Sequence, residues 1–277
     1  MSTRCEIQSV LSGLFESSRD RFADDGTTTL LDAPLIGVAD AADPWFARFK
    51  HIIGPFHWTP SEALALKAPG AEARSVICWC VPIAEAVRQA NRARKESPAR
   101  PWSLAKSRSA KVIAGMTEGL VDHLQAKGHA SAAPDRLPQH AVESSPEVGL
   151  AARWSLRHVA FVSGLGTFGI SGGLITRRGI AHRLGAIVTA AAIEPTGRAY
   201  GDNAFAWCLQ AAHGTCGKCI DRCPAGSVGP GVDDRDKAAC RAHLGRVRRD
   251  DEHLHGCGLC QTAVPCEFEA PAANRTG

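Results

Sequence analysis

The chain has 277 residues, with 32 Lys and Arg against 28 Asp and Glu, a formal net charge of +4 and 44% hydrophobic residues. That apolar content excludes a disordered chain, and the length suffices for one large domain or two smaller ones. The longest apolar stretch, Gly185 to Ile193, contains Thr189 and falls far short of the ~18 apolar residues of a membrane-spanning helix. The N-terminus, MSTRCEIQSV, lacks the basic-then-apolar pattern of an export signal, so a cytoplasmic protein without a membrane anchor is expected.

Residues 5–23 place Ile7, Val10, Leu11, Leu14 and Phe15 at helical spacing. From Asp32 to Thr59 the chain is aromatic and rich in Gly and Pro, which predicts irregular structure with one short helix. Thr59-Pro60-Ser61-Glu62 has the cap, first-turn proline and acid of a helix start. Arg74 to Ile83 (RSVICWCVPI) and Leu184 to Ile193 (LGAIVTAAAI) are continuous apolar runs, which predicts strands buried on both faces. Between them, Ile113, Met116, Leu120 and Leu124 mark a helix from Ser103 to Lys127 that stops at Gly128. Strands separated by long helices point to α/β or α+β. A shift of composition near Tyr200–Gly201 divides an expected core, 1–200, from a C-terminal part, 201–277.

Two basic clusters stand out. Arg88 to Lys111 holds eight basic residues against Glu85 and Glu96. It reads first as solvated helix and loop, second as a docking face for an acidic redox partner, and last as a nucleic-acid surface, since no recognised binding module accompanies it. Arg246, Arg248 and Arg249 form a smaller cluster, followed at once by Asp250, Asp251 and Glu252.

The cysteines are the strongest signal. There are 11, and Cys208, Cys216, Cys219, Cys223, Cys240, Cys257, Cys260 and Cys266 all lie in the last 77 residues. In a reducing cytosol such a set points to metal binding or catalysis rather than disulfides. Cys216-x2-Cys219-x3-Cys223-Pro224 is close to the bacterial ferredoxin run C-x2-C-x2-C-x3-C-P, in which the last cysteine ligates the other cluster. The run is one cysteine short: His213 stands at the expected first position, and Cys208 lies five residues upstream of it. A second set follows, with Cys240, Cys257-x2-Cys260 and then Cys266, where the usual spacing would have placed a cysteine at Val264. The crossing rule assigns Cys208, Cys216, Cys219 and Cys266 to one [4Fe–4S] cluster and Cys223, Cys240, Cys257 and Cys260 to the other. Paired C-x2-C units also build zinc sites, which is the competing reading, and His213 competes with Cys208 as a ligand. Cys5, Cys78 and Cys80 read as structural.

Gly164-Leu165-Gly166-Thr167-Phe168-Gly169 matches G-x-G-x-x-G, but a dinucleotide site also needs a strand before it and a helix after it. Trp154 to Val162 reads as a helix instead, and Ile170-Ser171-Gly172-Gly173 and Gly179 are poor helix formers, so no Rossmann site is expected, although Glu194 imitates its ribose-binding acid.

The segment RHVAFVSGLGTFGISGGLITRRGIAHRLGAIVTAAAIEP, followed by the two cysteine sets, resembles the epoxyqueuosine reductase and reductive dehalogenase superfamily. The resemblance covers roughly residues 74–266, including the strand SVICWCVPI and the passage HLQAKGHASAAP. It implies a nitroreductase-like three-layer α/β (α+β) core over 1–200 and a bacterial-ferredoxin-like double [4Fe–4S] module over 201–277. It also implies a corrinoid (cobalamin) lined by the backbone of Gly164, Gly166, Gly169, Gly172 and Gly173, with Arg177, His182 and Arg183 meeting polar groups at its edge. The chain stops eleven residues after Cys266, where the epoxyqueuosine enzymes continue into a helical-repeat domain, so tRNA is not the expected substrate. The dehalogenases' twin-arginine export signal is missing as well. Asp135 and Glu143 are the candidate acids for the proton donor upstream of the glycine turn, and the single tyrosine, Tyr200, stands out of order for the dehalogenase donor. The expected function is an iron–sulfur oxidoreductase. Electrons from an external ferredoxin or flavodoxin would pass through two clusters to a corrinoid or flavin and a small-molecule substrate. The alternative is a non-catalytic electron-transfer or cofactor-handling protein, and a third reading is a zinc-stabilised binding module.

Overall fold

The structure, a computed structural model, describes residues 3–248 and 254–271. Arg249, Asp250, Asp251 and Glu252 of the smaller charged cluster lie outside the described residues. In chain order the elements begin with helix α1 (Arg4–Ser17), strand β1 (Leu35–Asp40), helices α2 (Pro44–Ile52) and α3 (Pro60–Ala65) and strand β2 (Ser75–Pro82). Helices α4 (Glu85–Arg92) and α5 (Arg100–Ala126), strand β3 (Ser131–Ala132) and the hairpin β4 (Val142–Ser145) and β5 (Gly149–Ala152) follow. Then come helix α6 (Leu156–Val162), the hairpin β6 (Gly166–Phe168) and β7 (Leu174–Thr176), and strand β8 (His182–Thr189). Three short helices close the chain: α7 (Leu209–His213), α8 (Lys218–Asp221) and α9 (Lys237–Arg246).

The fold is mixed α/β, built on small antiparallel sheets. The central sheet has the order β1-β2-β8-β3, each pair antiparallel. Every residue of β2 is buried, because the strand is covered on both faces. Val76, Cys78 and Cys80 pack in one apolar layer with Phe46, Phe49 and Phe161 of α2 and α6. Ile77, Trp79 and Val81 pack in the other with Leu11 of α1 and Met116 and Leu120 of α5. Helix layers on both faces are the reason for the continuous apolar run, since neither side of the strand meets water. Cys78 and Cys80 are fully buried here, and Cys5 lies exposed on α1.

Most of the expected elements form, with four differences, the first being that β8 runs His182–Thr189 and stops short of the expected end at Ile193. Helix α1 ends at Ser17 and gives way to a 3₁₀ turn at Arg19–Arg21. Thr59 caps α3 in a capping box with Glu62, and α5 starts at Arg100, three residues earlier than its periodicity suggests. Strand β1 lies in the stretch expected to be irregular. Its Gly37 reads as a breaker in sequence, yet a Cβ there would lie 2.2 Å from the Ser163 carbonyl oxygen. The glycine thus serves close packing of α6's end on the sheet rather than a turn.

Much of the basic stretch from Arg88 to Lys111 is used inside the molecule. Arg88 is buried, Arg92 pairs with Glu267 at 2.9 Å, and Arg108 pairs with Asp20 at 2.7 Å. At the compositional shift the packing is continuous. The buried Tyr200 hydroxyl donates to the Phe161 carbonyl at 2.6 Å and accepts from the Gly166 N–H at 3.2 Å. The Trp207 N–H donates to Thr167 Oγ1 at 3.0 Å.

Candidate functional site

The two C-x2-C units are built alike. Each reads Cys-Gly-x-Cys, with Gly217 at φ 91° and Gly258 at φ 66°, and each glycine opens a short helical turn. A left-handed residue at that point costs a side chain about 1–2 kcal/mol, which glycine avoids. At Gly258 space is decisive too, because a Cβ would lie 1.9 Å from Trp102 Cζ2.

The structure divides the eight cysteines between two cavities. Cys208, Cys216, Cys219 and Cys266 border a space of about 360 Å³ whose remaining wall is largely apolar, from Ile170, Ile175, Ile180, Val264 and Pro265. Cys223, Cys240, Cys257 and Cys260 border a second space of about 710 Å³ together with Lys106, Arg183, Arg235 and His243. Cys223 therefore parts from Cys216 and Cys219, and Cys266 parts from Cys257 and Cys260, as in the crossed ferredoxin arrangement. Cys208 borders the first cavity, whereas His213 lies exposed at the end of α7 and does not.

Burial, and then Cys208 and Cys216 nearby, pushes the Cys219 thiol up to about 12. Burial likewise pushes Cys260 up to about 12 and raises Cys266 and Cys257. Cys223 goes the other way: against a burial penalty, hydrogen bonds from the Ser227 hydroxyl and N–H, at 3.1 and 3.3 Å, hold its thiol below the ordinary value. Ligation by these thiols would therefore release protons and strengthen as pH rises. Among the described residues, no three His, Cys, Asp or Glu side chains converge as ligands of one metal ion. The thiols ring cavities instead of meeting at a point.

Two polar groups, the half-buried Arg222 and the buried Asn91, lock the cysteine turns to the core. Arg222, between Cys219 and Cys223, donates to the carbonyls of Arg94 at 2.8 Å and Thr262 at 3.0 Å. Asn91, fully buried on α4, donates to Thr262 Oγ1 at 3.1 Å and accepts from the Ala99 N–H at 2.9 Å. Farther on, the buried Glu267 accepts from the Ala263 N–H at 2.8 Å, next to its ion pair with Arg92. Ala263 sits at φ 56°, the only non-glycine residue with positive φ among the described residues. The carboxylate thus secures a strained turn between Cys260 and Cys266.

A third and larger space, a cleft of about 1,070 Å³, opens between the β4–β5 hairpin, α6 and the start of α9. Its apolar wall includes Ile53, Val148, Leu150, Trp154 and Leu156, and its polar groups are Asp135, His140, Ser155, Arg157, His158 and Lys237. The Lys237 ammonium donates to the Val148 carbonyl and, at 3.1 Å, to that of Leu150, tying the hairpin to the cysteine-bearing segment. Arg157 is exposed at the cleft and donates to the Gly172 carbonyl at 2.7 Å; the surrounding protein and then Arg235 lower it to about 10. Burial, followed by Arg157, holds His158 well below its usual value and therefore neutral, with Nδ1 2.7 Å from Ser155 Oγ. Burial also raises the Asp135 carboxyl, and its Oδ1 has no hydrogen-bond partner.

The residues expected to cradle a cofactor lie elsewhere. Gly164, Gly166, Gly172 and Gly173 border neither the large cleft nor the cysteine cavities, and Gly169 borders the first cysteine cavity. A Cβ on Gly166 would lie 2.1 Å from the Ile175 carbonyl oxygen, so this glycine permits the β6–β7 pairing. His182 is buried with Nε2 2.8 Å from the Leu174 carbonyl, and Arg177 is exposed with its guanidinium 5.9 Å from the Trp207 ring. Arg183 borders the second cysteine cavity. Of the candidate acids, Asp135 borders the cleft, while Glu143 is held by Arg153 at 2.7 Å. His140, Arg157, His158 and Lys237 were not legible as site residues. The one available signal was Ser155, the N-cap of α6, three residues before His158.

No protein-family model and no curated protein matches the chain. Solved structures do. A selenomethionine-labelled epoxyqueuosine reductase matches with a TM-score of 0.50 at 18% identity, over 94% of this chain and 66% of that one. An epoxyqueuosine reductase with an epoxyqueuosine-modified tRNA stem loop matches with a TM-score of 0.48 at 18% identity, over 94% and 66%. A catabolic reductive dehalogenase in complex with 3-bromo-4-hydroxybenzoic acid matches with a TM-score of 0.50 at 16% identity, over 98% and 37%. The chain thus spans 66% of the first and 37% of the last. At these identities the likeness is one of fold: the chain is similar in fold to epoxyqueuosine reductases and reductive dehalogenases, both of them reductases.

Proposed function

We propose that the chain is an iron–sulfur reductase in which each ring of four cysteines holds a [4Fe–4S] cluster and the large cleft holds a cofactor and a small-molecule substrate. The observation that carries this reading is the four-and-four division of the cysteines round two cavities. The donor sets fit the clusters, since four thiolates complete each cubane. The surroundings of the second cavity fit as well. Lys106, Arg183 and Arg235 border it without an Asp or Glu among the described residues, and Nε of Arg183 and of Arg235 is buried without a partner. Half-buried cations without acids beside them favour an anionic occupant, and a cluster with its thiolates carries about −2.

The cleft fits a broad, partly apolar group with polar edges, which is the character of a corrinoid. Such a group would be held by the cleft wall from Trp154 to His158 and by Lys237, rather than by the glycine segment. A corrinoid bound there would supply a metal that accepts and delivers electrons. The chain's own part is positional and protolytic. Arg157 and Lys237 place positive charge at one end of the cleft, which suits an anionic group on the cofactor or substrate. Asp135, its carboxyl raised by burial, retains a proton to higher pH than a solvated acid and is our candidate proton donor. Neutral His158, oriented by Ser155, is available as an acceptor.

Anaerobic reconstitution tests the reading. About eight iron and eight sulfide per chain are expected, whereas zinc without sulfide in a colourless protein would overturn it. Titration of the loaded protein with cobalamin, flavin, a halogenated phenolic acid and an RNA stem loop then identifies what the cleft accepts. RNA as the tightest ligand would replace the small-molecule assignment.

A further inference from the structure

Resting on the reading of the two cavities as cluster sites, we propose that Lys106, Arg183 and Arg235 make them electrically unequal, giving a cluster in the second cavity the higher midpoint potential. Three observations agree. First, the charge differs: the second cavity is bordered by these three cations and no acid, while no charged side chain borders the first among the described residues. The cations come from three separate places, α5, β8 and the approach to α9, so no single local segment accounts for them.

Second, the sulfurs differ in hydrogen bonding. Cys223 Sγ faces the Ser227 hydroxyl at 3.1 Å and its N–H at 3.3 Å, and Arg235 Nη2 stands 3.8 Å from Cys240 Sγ. Among the described residues, no side chain donates to the sulfurs of Cys208, Cys216, Cys219 or Cys266; Cys219 and Cys266 have only backbone N–H groups beside them. Third, the second cavity adjoins a further pair of cations at the cleft, since Arg235 and Cys240 both act electrostatically on Arg157, and Arg157 and Arg235 act on Lys237.

Reduction adds one negative charge to a site that already carries about −2. Nearby fixed cations and donors to sulfur stabilise that added charge, most strongly where the surroundings are of low dielectric. The apolar first cavity offers no such compensation. The residues of this chain therefore set the order in which the two sites accept an electron, the second before the first.

The test is a potentiometric titration, followed by electron paramagnetic resonance, of the full chain reconstituted anaerobically with iron and sulfide. Two separate one-electron waves are expected, with Cys266→Ser perturbing the more negative one. Arg183→Gln and Lys106→Gln should each move the more positive wave downward and leave the other in place, and Arg183→Lys should retain most of the wild-type value. Lys106→Gln, on a different element, reads the same effect where loss of Arg183 lowers cluster content. Coincident waves at full iron and sulfide content, or a shift confined to the more negative wave, would overturn the inequality while leaving the cluster assignment standing. A chain that takes up no iron and sulfide would overturn both.

Discussion

Residues 164–179 contain six glycines and close on themselves, whereas residues 135–158 contain one glycine and border the cleft, which is larger than either cysteine cavity. Glycine marks places where another group must come close, and in the first stretch that group is the protein's own backbone. Gly166 would place a Cβ 2.1 Å from the Ile175 carbonyl, and Gly179 one 2.2 Å from the Glu267 carbonyl, so the glycine hairpin packs against β7 and against the cysteine segment. The second stretch opens a space because hairpin β4–β5 stands off from α6 and is tied to α9 by Lys237. Glycine density and ligand access are therefore separate properties.

Substitution should split the two stretches most sharply at Gly166. Gly166→Ala should destabilise the protein by about 3 kcal/mol or more through the backbone clash, seen as a lower denaturant midpoint. Gly169→Ala, whose Cβ would meet nothing nearer than 3.4 Å, should leave the midpoint nearly unchanged and lower iron retention in the first cavity instead. An unchanged midpoint for Gly166→Ala would break the comparison.

Acid should weaken both stretches through buried histidines, His57 and His158 at the cleft and His182 beside the glycine hairpin. Burial lowers His57, which accepts from the Ser155 N–H at 3.2 Å beside the cleft, to about 4. It also lowers His182, beside the glycine hairpin, to about 4. Below about 6.5 the unfolded chain binds protons that the folded chain refuses, so stability falls as pH drops from about 6.5 toward 4. Each pH unit over which a histidine is kept neutral below its ordinary range contributes on the order of 1.4 kcal/mol. His182→Gln and His57→Gln should each flatten part of that slope in urea titrations, and a slope unaltered by both would mean that other groups control the acid limb.

At the cleft the expected loss is of rate rather than of stability. Asp135→Asn should lower turnover by about 10²-fold, the usual range for a lost general acid, with little change in melting temperature. A melting temperature that fell while turnover per folded molecule held would recast Asp135 as structural. Glu143→Gln should do least. It removes a half-buried ion pair with Arg153, for about 1 kcal/mol or less of stability and no effect on rate. A large rate loss there would exchange the roles of the two acids.

What the amino-acid order determined by itself is whatever a short covalent spacing or a local period encodes. The cysteine spacings, with Cys223 before proline, already divide the eight thiols into the quartets that the fold places round two cavities. The apolar run of β2 announces a strand covered on both faces, and Thr59 with Glu62 announces the cap of α3. The sequence already favours Cys208 over His213, and the turn of α7 leaves Cys208 beside the first cavity and His213 exposed. The rest was decided by tertiary structure, because it depends on groups far apart in the chain. Gly37 hides β1 until the Ser163 carbonyl is seen against it. The cleft exists because segments around residues 53, 135–158 and 237 leave a space that none of them encodes alone. Arg183 looks like a cofactor contact beside a glycine turn, yet the direction of β8 carries it to Lys106 and Arg235, since a cavity's charge is a sum over neighbours in space and not in sequence.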